Sequence, residues 1–274
     1  MKDCLQLSRK IGEEVQQKLI QYLSDTGYQG IVSENPRESK STHRVDIIAA
    51  ETIKKVLENV ACQLFMESFE EKGMANPRFS IFIDPVDGSI NWDRGIGDPA
   101  ICIAITQKIK DIYFRDLDFV YIQGFRSGDV YYFHKAKAWY ENKLTGQRWP
   151  VKKLQDVAIT NAMGYLKTGY GGAQKQIEKT LPLFYACKDI RAIDNSAMEM
   201  AELSRAATDF IVDARDLSDN YNLLAYPLVN HAGGVITDLS GEDIGNYKIV
   251  PDKIINYIAA GSHSLHRELM AVLT

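Results

Sequence analysis

The chain has 274 residues, 45% of them hydrophobic and 25% charged, and a formal net charge of −4. This is an ordinary globular composition, long enough for a large core in one or two domains. The acidic balance argues against a general nucleic-acid binder, and no apolar run reaches membrane-spanning length.

Leu5, Ile11, Val15, Leu19 and Leu23 recur near helical spacing, so a helix is predicted over residues 5–24, ended by Gly27 and Gly30. This charged, amphipathic start is not a signal peptide. Ser33 to His43 is polar, contains Pro36 and reads as a surface loop, either a plain loop or one that closes over a substrate. A second helix is predicted from Val45 to about Leu64. Phe79 to Ile83 suits a buried strand, and Ile101 to Thr106 a second one. Val120–Phe125, Gly128–His134 and Ala138–Glu141 follow as an antiparallel meander, with Lys135 and Lys137 on its solvated face.

From about Val151 the pattern changes. Short apolar strands (157–160, 190–193, 210–212, 235–237 and 258–260) alternate with helices (177–187, 196–205, 219–232 and 265–273). That alternation predicts a mostly parallel or mixed sheet in a second half, dividing the chain at residues 1–150 and 151–274. Cys4, Cys62, Cys102 and Cys187 lack paired metal spacing and read as free thiols of a reducing, cytoplasmic compartment. His263 and His266 read as a helix start rather than a metal pair.

The densest chemistry lies at Asp84-Pro85-Val86-Asp87-Gly88-Ser89-Ile90-Asn91-Trp92. Pro85 cannot donate to a ladder, so strand pairing should end there. Gly88 permits a tight turn, and Ser89 suits the N-cap of a short helix over residues 90–94. Two carboxylates this close at a strand end repel unless a cation lies between them. Mg²⁺ takes hard oxygen ligands; Asp84, Asp87 and the Val86 carbonyl supply them. The N–H groups of Gly88, Ser89 and Ile90 would face an anion at the helix N-terminus. The other reading of the same residues is a solvated Asp-Pro-x-Asp-Gly turn.

This stretch resembles the first signature of the inositol monophosphatase family, Asp-Pro-x-Asp-Gly-Thr/Ser-x-Asn-aromatic, at every position. The second signature, Trp-Asp followed by a small-residue helix and Ala-Gly-Gly, has its counterpart in Ser218-Asp219 and Ala232-Gly233-Gly234, with Ser in place of Trp. The resemblance spans nearly the whole chain. It implies a layered αβαβα sandwich of the α/β (α+β) class, with the site between the two halves. It also implies a Mg²⁺-dependent, Li⁺-sensitive phosphatase of a small polyol or sugar phosphate, inositol monophosphate first, acting as a cytoplasmic homodimer with two or three Mg²⁺ per site. No membrane or nucleic-acid polymer is involved. Fructose 1,6-bisphosphate and a nucleotide 3′(2′),5′-bisphosphate are alternative substrates, and a non-catalytic phospholigand binder is a further alternative.

By the same resemblance Glu67, Asp84, Val86, Asp87 and Asp219 hold metal, with Glu70 or Glu71 as substitutes for Glu67 in a shifted alignment. Asp46 pairs with the Ser89 hydroxyl to activate water, and Glu67 belongs to the catalytic set. Asp87, Gly88, Ser89, Asp194, Asn195, Ser196, Asp213 and Asp219 bind substrate. Each has a plainer reading: Asp46 in a first helical turn, Ser196 as an N-cap, Asp213 with Arg215 and Asp216 as a surface charge cluster. Arg94 is placed either to reach a second phosphate or to complement a helix end.

Overall fold

A computed structural model describes residues 2–27, 31–34, 41–73, 76–168, 173–217, 220–250 and 253–273. Helix α1 (Lys2–Thr26) buries Ile11, Val15 and Leu19 along one stripe and ends where Gly27 turns left-handed at φ 67 and donates to the Leu23 carbonyl. Helix α2 (Arg44–Val56) packs against α1 and buries Val45, Ala49, Ala50 and Ile53. It stops well short of Leu64. Residues Gln63–Met66 instead form strand β3, whose parallel partner is Ser80–Ile83; tertiary pairing overrides helical propensity there. The segment expected as a loop over Ser33 to His43 begins and ends in paired strands, β1 (Ile31–Glu34) and β2 (Ser41–His43); residues 35–40 lie outside the described residues.

Among the described residues the larger sheet runs β10-β9-β8-β7-β6-β5-β3-β4. Its remaining strands are β4 (Phe69–Gly73), β5 (Ser80–Asp87), β6 (Ala100–Thr106), β7 (Phe119–Gly124), β8 (Asp129–His134), β9 (Lys137–Asn142) and β10 (Gln147–Pro150). The predicted meander is present and gains β10 at its edge. Strand β5 is buried throughout, which is why it reads as a continuous apolar run. Pairing does not end at Pro85. It resumes at Asp87 opposite Ala100 after a register shift between Asp84 and Asp87, so a bulge absorbs the residue that cannot donate.

The smaller sheet runs β12-β11-β13-β15-β14 and is mixed. Its strands are β11 (Met163–Leu166), β12 (Asp189–Arg191), β13 (Phe210–Asp213), β14 (Val235–Thr237) and β15 (Tyr257–Ala260). The strand expected at 157–160 is displaced: a 3-10 turn occupies Ile159–Asn161 and β11 follows. Gly164 in β11 has no alternative, because a Cβ there would lie 2.2 Å from the Phe210 ring. The helix expected over 177–187 breaks at Pro182 into α4 (Ala173–Thr180) and α5 (Leu183–Ala186). The one expected over 219–232 is a 3-10 turn, Tyr221–Leu223, then α7 (Tyr226–His231) with Pro227 in its first turn. Helices α6 (Ser196–Ser204) and α8 (His263–Leu273) stand close to expectation.

The layers are α1 and α2, the larger sheet, α6 and α7, the smaller sheet, then α5 and α8, with an apolar core between each pair of layers. This is the expected αβαβα order. Among the described residues no helix is long and apolar enough to cross a membrane, and the cysteines are free thiols.

Candidate active site

The bulge in β5 fixes the acidic side of the site. Asp84 and Asp87 sit on either side of it, 5% and 6% exposed, and the Asp84 carboxylate accepts the Val86 N–H at 3.2 Å. The Glu67 N–H donates to the Ile83 carbonyl at 3.0 Å, so the parallel β3–β5 ladder delivers Glu67 beside Asp84. These residues line one cleft of about 640 Å³, open mouth included, together with Asp46, Val86, Gly88 and Ser89. From the second half come Asp194, Ser196, Arg215 and Asn222. Asn195 and Asp213 are buried and stand behind this wall. Asp219 lies outside the described residues, as do the side chains of Glu70 and Glu71.

Gly88 adopts φ +81, and a Cβ there would fall 2.0 Å from the Asn195 amide oxygen. That oxygen also accepts from the Asn91 amide, which donates in turn to the Ile193 carbonyl at 2.7 Å. The motif residues Gly88 and Asn91 therefore key the first half against the loop before α6. Gly88→Ala is expected to lower stability by roughly 2 kcal/mol from left-handed strain alone, with further loss from the Asn195 contact, read as a fall in the urea midpoint at constant slope. Helix α3 begins on Ser89 itself (Ser89–Arg94), with Gly88 as its cap residue, one residue earlier than expected. Arg126 donates to the Trp92 carbonyl in the last turn of α3 at 2.9 Å and to the Gly97 carbonyl just beyond it at 3.1 Å; Arg94 is exposed and does not line the cleft.

Asp46 caps α2, accepting the His43 N–H at 2.9 Å. The buried His43 ring contacts Asp93 through Nδ1, tying the start of α2 to α3. Asp46 and Ser89, carried on those two helices, face the same cleft.

The second half meets the first through α6. Both Asp87 oxygens accept its leading amides, Ser196 at 3.0 Å and Ala197 at 2.8 Å. The two preceding amides, Asp194 and Asn195, donate to Glu199 Oε1 at 2.9 and 3.2 Å. Two carboxylates thus satisfy the amides that open the helix, and its dipole favours their charge. Burial pushes the Asp87 carboxyl up to about 7. Lys167 and the Ala197 amide oppose the rise, while the Glu199 and Glu67 charges add to it.

Sequence reasoning missed the groups behind this wall. Lys167 is fully buried, with Nζ against Glu199, 3.0 Å from Ser196 Oγ and 3.8 Å from Asp194. Burial alone would lower its pKa; Glu199, Asp194 and Asp87 outweigh this and hold it above the usual lysine range. Arg215 grips Asp213 with Nε at 2.9 Å and Nη2 at 2.7 Å, and Asp194 with Nη1 at 3.1 Å. Asp213 and Arg215 are therefore an internal pair, not a surface cluster; Asp216, half-buried, bonds Lys175 and Asn256 instead. The usable signal for Lys167 was a lysine closing an apolar strand, and that strand was misplaced.

Among the described residues no three His, Cys, Asp or Glu side chains stand close enough to cage an ion by themselves. The donor set is nonetheless all hard oxygen. Burial first, and then the Asp84, Asp87 and Glu67 charges, hold the neighbouring Cys102 thiol well above its usual range, so the three carboxylates share one field. A set of carboxylates, Asp84 and Asp87 buried and Glu67 half-buried, with no thiolate or imidazole among them fits a hard divalent cation.

No protein-family model matches the chain. It is 23% identical over 251 residues to the bifunctional NADP phosphatase/NAD kinase of Methanococcus maripaludis; the match takes in 84% of this chain but 42% of that longer protein. It is 24% identical over 282 residues to the fructose-1,6-bisphosphatase/inositol-1-monophosphatase of Archaeoglobus fulgidus, spanning 99% of this chain and 98% of that one. The solved IMPase of Thermotoga maritima superposes with a TM-score of 0.75 at 18% identity, covering 99% of this chain and 96% of the other.

Proposed function

We propose that the chain is a member of the inositol monophosphatase family, a reading its full-length likeness to fructose-1,6-bisphosphatase/inositol-1-monophosphatases supports, and that it is a Mg²⁺-dependent phosphomonoesterase acting on a small polyol or sugar phosphate, with inositol monophosphate as the first candidate. The observation that carries this reading is the β5 bulge, which aims Asp84 and Asp87 into the cleft that Glu67 also lines.

Glu67, Asp84, the Val86 carbonyl and Asp87 would hold Mg²⁺, with Asp219 completing the set. Bound there, the ions supply Lewis-acid stabilisation of the phosphate oxygens and a more acidic water. The remaining work belongs to the chain. The amides of Gly88, Ser89 and Ile90 receive phosphate oxygens at the opening of α3, where Gly88 keeps the backbone bare of a Cβ. Asp46 accepts the Ser89 hydroxyl proton, and Ser89 in turn aligns the attacking water, so the proton lost by water has a route to a carboxylate. Residues 1–150 supply the metal side apart from Asp219, and 151–274 the alcohol side, where Asp194 and Ser196 meet the hydroxyls of the leaving group while Asn195 and Asp213 set that wall from behind. A homodimer, a cytoplasmic location and competition by Li⁺ at a metal position complete the proposal.

Phosphate release from inositol 1-phosphate, fructose 1,6-bisphosphate, 3′-phosphoadenosine 5′-phosphate and NADP tests it. At least one ester should be hydrolysed only with Mg²⁺, lost on EDTA treatment and slowed by Li⁺. Mg²⁺ binding without release from any of these esters would leave the chain a phospholigand binder.

A further inference from the structure

The wall opposite the metal carboxylates has an unusual order of charge. Asp194 adopts φ 65, a left-handed conformation that Asp tolerates better than most residues but that still strains the backbone. Its side chain is 19% exposed, whereas those of Lys167 and Arg215 behind it are 0% and 2% exposed. The carboxylate is therefore in front and the cations at the back. Lys167 is also committed to Glu199, and Arg215 to Asp213. Two cations face three carboxylates, so the cluster carries one more negative charge than positive. Among the described residues lining the cleft, Arg215 is the cation, and its fork is spent on Asp194 and Asp213. Arg94, the other candidate for an anionic group, lies outside the cleft.

From this order we propose that Asp194 is a specificity-determining residue: the alcohol side of the site accepts neutral hydroxyl groups and rejects a leaving group with an anionic substituent on the carbon next to the ester. A hydroxyl donates to the Asp194 carboxylate without a desolvated like charge. A carboxylate or second phosphate in that place meets the like charge of Asp194 and finds no uncommitted cationic side chain among the described residues of that wall. The proposal rests on the phosphatase reading above and narrows its substrate class. The strained backbone at Asp194 fits this role, since a glycine would hold the same turn without the charge.

Glycerol 2-phosphate and 2-phosphoglycerate test it, because they differ chiefly in a hydroxymethyl group against a carboxylate beside the ester. kcat/KM for phosphate release is measured with Mg²⁺, and dissociation constants by calorimetry with Ca²⁺ in its place, for the native chain and for Asp194→Gly and Asp194→Asn, both compatible with a left-handed backbone. The native protein should prefer glycerol 2-phosphate by about tenfold or more, in binding and in turnover. Both variants should shrink that ratio about tenfold, with the larger gap at low salt. An unchanged ratio in both variants, or a native preference for 2-phosphoglycerate, overturns the proposal. Hydrolysis of neither ester, nor of any ester of the panel above, with the binding preference intact keeps the discrimination and overturns the phosphatase reading instead.

Discussion

Asp84→Asn should lower kcat by about 10³-fold, since ion-borne stabilisation of transition-state charge is worth several kcal/mol and each 1.4 kcal/mol is tenfold. The substitution keeps the shape of the side chain and its acceptor oxygen for the Val86 amide, so the fold should survive. Steady-state phosphate release across a Mg²⁺ titration separates two outcomes: a shifted Mg²⁺ requirement with partial recovery at high concentration, or a flat loss. The first marks Asp84 as an ion ligand and the second as a residue of the site with another role; native kcat and native Mg²⁺ dependence would remove it from the site. pH adds a second reading. The Asp87 carboxyl, pushed up to about 7 in the folded protein against an ordinary 3.8, contributes stability that is fully present below its unfolded value and is lost as pH rises through about 7. A cation offsets that loss by taking the charge. The Mg²⁺-induced rise in Tm should therefore be greater at pH 8 than at pH 6, and Asp87→Asn should flatten the difference.

Lys167→Met carries the largest expected loss of stability, roughly 3–5 kcal/mol, because breaking a buried ion pair leaves its partner charge uncompensated. Lys167 and Glu199 are 0% and 1% exposed, and Asp87 also relies on the lysine charge. Urea denaturation of the native chain, Lys167→Met and the double variant Lys167→Met/Glu199→Gln reads the effect. Glutamine keeps an acceptor for the Asp194 and Asn195 amides, so the double variant should recover a substantial part of the loss. A double variant no more stable than the single one would show that the cost lies in packing rather than in stranded charge.

The parts of the site legible in the sequence are those set by neighbours along the chain. Asp84, Asp87, Gly88 and Ser89 share one strand end and one short helix, so their types and spacing carried the geometry. Glu67 came through the resemblance alone, since the strand that leads to it was read as the end of a helix. Lys167, Glu199 and Arg215 were not, since their meaning arises only where β11, α6 and β13 converge, and a buried lysine is indistinguishable in sequence from a solvated one. The short strand Met163–Leu166 gave too few residues for a period, and its glycine reads as a break until Phe210 is seen to fill the space above it. Pro85 misled in the other direction: the rule that it ends pairing is local, and a bulge with partners on both sides of it overrode the rule. The layered order was legible through the resemblance, whereas the helix limits at Val56, Pro182 and Tyr226 were decided by tertiary partners.

The shared use of Asp87 has a mechanical consequence. One carboxylate braces the leading turn of α6 and, on the proposed reading, also answers to the ion, so whatever draws on its lone pairs is felt by the helix wedged between the two sheets. Filling and emptying of the cleft would then tighten and slacken the seam between the halves. The rigidity of the molecule and its state of loading would not be separate properties.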